Sequence, residues 1–263
     1  EMQRSLVGSE MCIRDRLISA WTFIFERNTI WIRNLEVSCE AYILLKRRGE
    51  LKMSMDMRKR RNMQMAYISD EAVMEEQAEC RKILQKLNLM DRSDFDGISE
   101  VVKELFGKSD GACVNPPFYC DYGSHIEVGK NFFANYNCTI LDVVKVTIGD
   151  NCFMAPNVAI YTAGHPIYPD VRSAMWEYGK EVTFGDNVWI GGNTVICPGV
   201  HIGSNVIIDA GSVVTKDIPD WAVAAGNPCK VLRMITEDDK RRLFRDEEID
   251  DEAWAEICQK LGW

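Results

Sequence analysis

Histidine is nearly missing from this chain. There are three in 263 residues, His125, His165 and His201, and no two of them stand at ligand spacing. A zinc centre needs a cluster of nitrogen or sulfur donors, so no metal is expected. Positive charge is also short: 31 Lys and Arg against 40 Asp and Glu leave a net −9. A nucleic-acid partner, which needs a cationic face, is therefore not expected. Long hydrophobic runs are missing too. The longest candidate, residues 17–25, is broken by Glu26 and Arg27; it is too short for a bilayer and lacks a small-residue cleavage site after it, so neither a membrane span nor a signal peptide is expected. Ten cysteines are present, but scattered without paired spacing. That pattern suits a reducing cytoplasm rather than a disulfide framework, with Cys138 and Cys152 as small apolar fillers.

What the chain does have is a period of six. Between 184 and 219 it reads FGDNVW, IGGNTV, ICPGVH, IGSNVI, IDAGSV, VTKDIP. First positions are Phe184, Ile190, Ile196, Ile202, Ile208 and Val214; fifth positions are Val188, Thr194, Val200, Val206, Ser212 and Ile218. In a chain that is 46% apolar, six apolar first positions in a row have roughly one chance in a hundred. Six fits neither the 3.6 of a helix nor the alternation of one long strand. It fits a mainly β fold, a parallel β-helix of short faces whose apolar positions point inward, with glycine relieving the turns. Upstream, Tyr122, Val128, Ala134 and Ile140 keep the spacing, and after a two-residue slip so do Ile148, Met154 and Ile160. The matching fifth positions are Ile126, Phe132, Cys138, Val144, Cys152 and Val158. The pattern vanishes over 161–181, which predicts an external loop, the place where binding residues gather.

The ends read differently. Residues 1–52 stand outside the pattern, and RSLVGSEMCIRDR (4–16) resembles a translated sequencing adapter. The expectation is a non-native leader, with natural translation starting at Met53, Met55 or Met57. Residues 53–110 read as a helical cap. One helix has an N-cap at Ser69-Asp70 and Ala78, Ile83, Leu84 and Leu87 on one face; a second, over 97–106, has a stripe of Ile98, Val101, Val102 and Leu105. Residues 111–235 form the solenoid. The tail, 236–263, carries ten carboxylates against five bases, and Leu243, Ile249, Trp254, Ile257 and Leu261 suggest a short amphipathic helix packed on the solenoid end.

The segments CDYGSHIEVGKNFFANYNCTILD (120–142), VTIGDNCFMAPNV (146–158), TAGHP (162–166), NVWIGGNTVICPGVHIG (187–203) and GSVVTKDIP followed by AAGNPCKVLR resemble the maltose/galactoside O-acetyltransferase family. Its members are left-handed parallel β-helices. The resemblance implies acetyl transfer from acetyl-CoA to a sugar hydroxyl, in homotrimers whose active sites lie between subunits.

By that resemblance His165, presented between Gly164 and Pro166, is the general base. His125 and His201 sit at ordinary solenoid positions that predict outward, solvated rings. Asn135 in ANYN matches the family's residue beside the acceptor, where an amide can also serve a developing oxyanion. Asp121 and Asp142 match sugar-binding positions, the family's acidic position falling at Asp142 or one residue on, at Val143; Asp70 matches loosely. Corner Asn and Asp also serve plain turns. Met175 and Trp189 are expected beside the acetyl or sugar group. For CoA, Gly192 and Ala210 match contacts of the pantetheine arm, while Thr215, Lys216, Lys230 and Arg233 form a small cationic cluster for phosphate. Lys230 lacks the fork of the arginine that many relatives carry. Two other readings stay open: an acyltransferase for a serine, an amino sugar or a xenobiotic alcohol, and a solenoid that is only a scaffold.

Overall fold

The computed structural model describes residues 55–263 and, upstream of them, three short strands. The chain divides into two units after Asp56. In the first, Phe23–Glu26, Thr29–Ile32 and Leu35–Ser38 form an antiparallel meander. The rest of the expected leader lies outside the described residues.

The second unit, Met57–Trp263, opens with helices α1 (Met57–Asn62), α2 (Glu71–Asn88) and α3 (Phe95–Leu105). Asp70 caps α2 by accepting the Val73 N–H at 3.1 Å, and Asp94 caps α3 through the Gly97 N–H at 2.9 Å; each satisfies a donor that the first helical turn leaves free. The buried face of α2 is Val73, Cys80, Leu84 and Leu87. Ala78, expected there, faces solvent and Ile83 is only partly covered, because spacings of seven, four and three select a face slightly turned from the predicted one. In α3 the expected stripe Ile98, Val101, Val102 and Leu105 is buried. With Phe106 it packs on Ala112, Val114 and Phe118, covering the end of the column where strand edges would otherwise stand open.

The column is a parallel β-solenoid with three faces. One stacks Lys108–Asp110, Ile126–Lys130, Val146–Ile148, Val182–Phe184 and His201–Ile202. The second stacks Cys113–Val114, Phe133–Ala134, Phe153–Met154, Trp189–Ile190, Ile207–Ile208 and Ala222–Ala225, and ends on an antiparallel strand, Lys230–Met234. The third stacks Phe118–Cys120, Cys138–Leu141, Ala159–Tyr161, Val195–Ile196 and Val213–Val214. Every first and fifth position read from the sequence is buried. Each such aliphatic side chain withdrawn from water contributes about 1.5–3 kcal/mol.

The ladder departs from the sequence reading at one rung. Ile140 pairs with Cys120, not with a residue in register with Tyr122; Tyr122 lies outside the column, with Tyr67, Val73 and Val143. The two-residue surplus therefore occurs twice, at corners 121–125 and 141–145, since Phe118↔Cys138 and Thr139↔Ala159 are each twenty apart whereas Thr183↔His201 are eighteen apart.

Glycine relieves the corner at Gly199 (φ 81°) and Gly211 (φ 73°), as expected. At other corners asparagine takes the left-handed conformation, with φ of 55–59° at Asn131, Asn151, Asn187 and Asn205, which its short amide tolerates. Their amides form a chain of hydrogen bonds, Asn131 to Asn151 (2.8 Å), Asn151 to Asn187 (3.0 Å) and Asn187 to Asn205 (2.9 Å). Gly149 is needed for close approach instead: a Cβ there would lie 2.3 Å from Asp186 Oδ1 and 2.5 Å from the Gly185 carbonyl. That carboxylate accepts the Asp150 N–H at 2.8 Å.

Between Tyr161 and Val182 the chain leaves the column, as expected, carrying the five-residue helix α4 (Pro169–Ser173). At the far end the tail departs from expectation. Leu243 belongs to a hairpin of Arg242–Phe244 with Glu247–Glu248, and the helix is α5, Asp251–Leu261. No residue of α5 is buried; it is tied locally, by Arg241 to Asp251 and by Trp254 against Trp263 at 6.0 Å. Among the described residues no helix is long and apolar enough to cross a membrane.

Candidate active site

The excursion that carries His165 is anchored on a surplus corner. The Thr162 hydroxyl donates to the Leu141 carbonyl at 2.7 Å and accepts the Val144 N–H at 3.2 Å. Ala163–Gly164 then pairs antiparallel with Tyr178–Gly179, and His165 follows directly. Its ring is exposed. Arg172 donates to the carbonyls of Pro166 (3.2 Å) and Ile167 (3.1 Å), folding the loop back on itself. The return limb is tied to the cap: Tyr67 and Glu177 exchange main-chain hydrogen bonds at 3.0 and 2.9 Å. The Glu177 carboxylate accepts from the Tyr67 hydroxyl (3.1 Å) and from Ser69 (2.9 Å). Burial first, and then the neighbouring Glu177 charge, push the Tyr67 hydroxyl well above its ordinary pKa; it stays a donor.

Beneath this hairpin lies Asp142, with 0% exposure. One carboxylate oxygen accepts the N–H groups of Asp121 (2.9 Å) and Tyr122 (3.0 Å); the other is buried without a partner among the described residues. Burial pushes Asp142 up to about 7, against the opposing pull of those N–H groups. Asp121 is likewise raised, by burial and then by Glu177, while Arg81 opposes. The structure thus gathers Asp121, Asp142 and the loop in one place. It uses Asp142 from inside, as the anchor of the corner that presents Asp121. Asp70, by contrast, spends an oxygen on capping α2.

His125 corrects the sequence reading. It is half-buried, not solvated, with Nδ1 2.6 Å from the Asp142 carbonyl and Nε2 3.3 Å from the Arg61 guanidinium. Its pKa is lowered, by burial first. His201 is exposed as expected, with Nδ1 2.6 Å from the Thr183 hydroxyl.

Asn135 follows the strand Phe133–Ala134 and donates its main-chain N–H to Met154 at 2.9 Å. Its side-chain oxygen accepts the Tyr136 N–H at 2.8 Å and meets the Asn115 amide at 3.5 Å. That fixes the amide's orientation and leaves its NH₂ as the donor on the outward side. Trp189 is 54% exposed, in register between Phe153 and Ile207 on the second face, and Met175, at φ 63°, is 70% exposed on the loop.

On the coils after the loop, Gly192 and Ala210 occupy neighbouring rungs. The Gly192 carbonyl accepts the Gly211 N–H at 2.8 Å, and the Ala210 N–H donates to Asp209 at 2.9 Å. Thr215, Lys216 and Lys230 are exposed near the open end. Arg233 is paired: it grips Asp239 through two hydrogen bonds, 2.7 and 3.0 Å.

Several site residues escaped the sequence reading: Tyr67, Glu177, His125 and Arg61. Glu177 lies in a stretch with no period, and Arg61 looks like one of a run of surface cations. Only the two-residue slip between Ile140 and Ile148 marked this region in advance.

With this geometry in hand, the comparisons with known proteins are specific. Residues 181–216 match the model described as bacterial transferase hexapeptide (six repeats). The chain is 43% identical over 181 residues to a galactoside O-acetyltransferase of Escherichia coli strain K12, covering 68% of this chain and 89% of that protein. Among solved structures, a galactoside acetyltransferase in complex with coenzyme A superposes with a TM-score of 0.72 at 41% identity, over 75% of this chain and all of that one. A maltose O-acetyltransferase from Clostridium difficile 630 gives 0.69 at 46% identity, over 70% and 99%.

Proposed function

Because the chain belongs to the galactoside and maltose O-acetyltransferase family and is an acetyl-CoA-dependent O-acetyltransferase, we propose that its acceptor is a sugar hydroxyl and that His165 is the general base. One observation carries this reading. The long excursion 162–181 stands on the corner that holds Asp142, next to the corner that holds Asp121, and it delivers an exposed imidazole immediately beyond its base.

The proposed reaction is direct transfer. His165 takes the proton of the sugar hydroxyl as its oxygen attacks the thioester carbonyl, and the Asn135 amide donates to the oxygen that gains charge. When the tetrahedral intermediate collapses the C–S bond breaks, and the proton passes to the departing thiolate. Asp121 accepts from acceptor hydroxyls, held in place by Asp142 from below; Asp70, Met175 and Trp189 are assigned to the acceptor's surroundings. Thr215, Lys216 and Lys230 suit the phosphates of CoA, and Gly192 and Ala210 its pantetheine arm. Arg233 would meet a phosphate only as part of its pair with Asp239. The outward ladder of Phe133, Phe153 and Trp189 supports a homotrimer, the assembly that would cover it, and the unpaired cysteine spacing supports a cytoplasmic protein.

The test is a free-thiol assay with acetyl-CoA across maltose, glucose, galactosides and isopropyl thiogalactoside, for the parent and His165→Ala. The expected result is thiol release with at least one sugar, lost in His165→Ala while acetyl-CoA still raises its melting temperature. Turnover only with serine or a xenobiotic alcohol would point to the non-sugar reading. Unchanged turnover in His165→Ala would remove the base.

A further inference from the structure

Helix α1 reads MRKRRN, a run that looks like solvated surface charge, yet Arg61 is 1% exposed. Burying a guanidinium costs several kcal/mol unless its donors are all taken up. Here each side of the group is engaged. One terminal nitrogen donates to Glu76 at 2.8 Å, the other meets His125 Nε2 at 3.3 Å, and Nε donates to Asn62 at 3.0 Å. The flat face lies 4.3 Å from the centre of the Tyr122 ring.

An apolar side chain could fasten a cap helix at lower cost. What a guanidinium adds is direction. The Asp142 carbonyl can only accept, so the proton of His125 sits on Nδ1. The lone pair on Nε2 then faces a donor, and Arg61 supplies it. The imidazole is thereby held neutral, in one tautomer, as a strut between α1 and the main chain of Asp142. Asp142 is clamped at both ends: its carbonyl by His125, its carboxylate by the N–H groups of Asp121 and Tyr122. The strut joins the two surplus corners, each two residues longer than the hexapeptide period sets.

We propose that Arg61 is a positioning residue for the acceptor: acting through His125, it fixes the corner that presents Asp121. This rests on the reading of that corner as the sugar site.

The experiment measures KM for the acceptor, KM for acetyl-CoA, kcat and melting temperature for the parent, Arg61→Met, Arg61→Lys, His125→Asn and the Arg61→Met/His125→Asn double variant. In Arg61→Met the acceptor KM rises about tenfold, the equivalent of one misplaced hydrogen bond, while kcat and the KM for acetyl-CoA stay within about twofold. Arg61→Lys, which keeps the charge but not the fork, falls between. Adding Arg61→Met to His125→Asn changes little, because both interrupt one strut. An acceptor KM that does not move in folded Arg61→Met overturns the proposal, as do equal changes in all three constants. Should Arg61→Met fail to fold, Arg61→Lys and His125→Asn carry the same test. A parent that releases no thiol with any sugar overturns the reading of the corner itself; an active parent with an unmoved variant overturns this proposal alone.

Discussion

Asp142 and Asp121 are joined by a 2.9 Å hydrogen bond from the main-chain N–H of one to the buried carboxylate of the other. The more accessible of the two is thus positioned by a carboxyl group that water does not reach. That carboxylate is the most telling titratable group in the protein.

Its pKa, about 7 in the fold against an ordinary 3.8, makes stability depend on pH with a definite sign. Between those values the native state holds a proton that the unfolded chain has released, so stability falls as pH rises. The contribution is fully present below the unfolded value and is lost as pH climbs through about 7. On acidification from pH 7.5 to 5 the melting temperature of the parent should therefore gain on that of Asp142→Asn, with the two curves running parallel at higher pH. Below about 6.5 the lowered pKa of His125 works the other way in both proteins, so the difference between parent and variant is the quantity to read. A parent and variant whose melting curves stay parallel over the whole range would refute it.

Asn135→Ala should lower kcat by about 10²-fold, the usual effect of removing one oxyanion donor, with the KM for acetyl-CoA nearly unchanged. Steady-state kinetics with saturating sugar reads it. A change confined to the acceptor KM would make Asn135 a binding residue only.

Gly179→Ala tests the anchoring of the loop. A Cβ there would sit 2.6 Å from a methyl of buried Val144, too close without moving the hairpin in which Gly179 pairs with Ala163. Activity should fall about tenfold or more through misplacement of His165, while acetyl-CoA still protects the variant against heating.

Asn151→Ala should be destabilising by about 1–3 kcal/mol, from two lost amide bonds and a side chain forced to positive φ. Asn151→Gly should cost less, since glycine accepts φ 55° freely. Urea unfolding ranks the two; equal costs would mean that the ladder, not the backbone, sets them.

The column was legible because its signal is repetition. Phe184, Ile190 and Ile196 announce one another, and the buried positions follow by counting. The corners were harder to read. Tyr122 satisfied the count and yet lies outside the column, because the two extra residues of 121–125 shift the register before it. Arg61 and His125 were opaque for another reason: a cation in a run of cations, and a lone histidine on a strand flank, carry no mark of the partner that only folding supplies. Ala78 and Leu243 failed through helical spacing, where a small turn of the face or a hairpin satisfies the same residues. The family resemblance pointed to His165 and Asn135; it was silent on Glu177, which the backbone bridge to Tyr67 revealed.

Reversal of a single strand, Lys230–Met234 against Ala222–Ala225, makes this architecture finite. Every earlier rung offers the next one an edge running the same way, and nothing in the aliphatic interior says when to stop. The reversed strand withdraws that invitation, so the height of the prism is written in its terminators. Coils could be inserted or removed between the two ends without new chemistry, whereas losing the final reversal would leave a sticky template exposed.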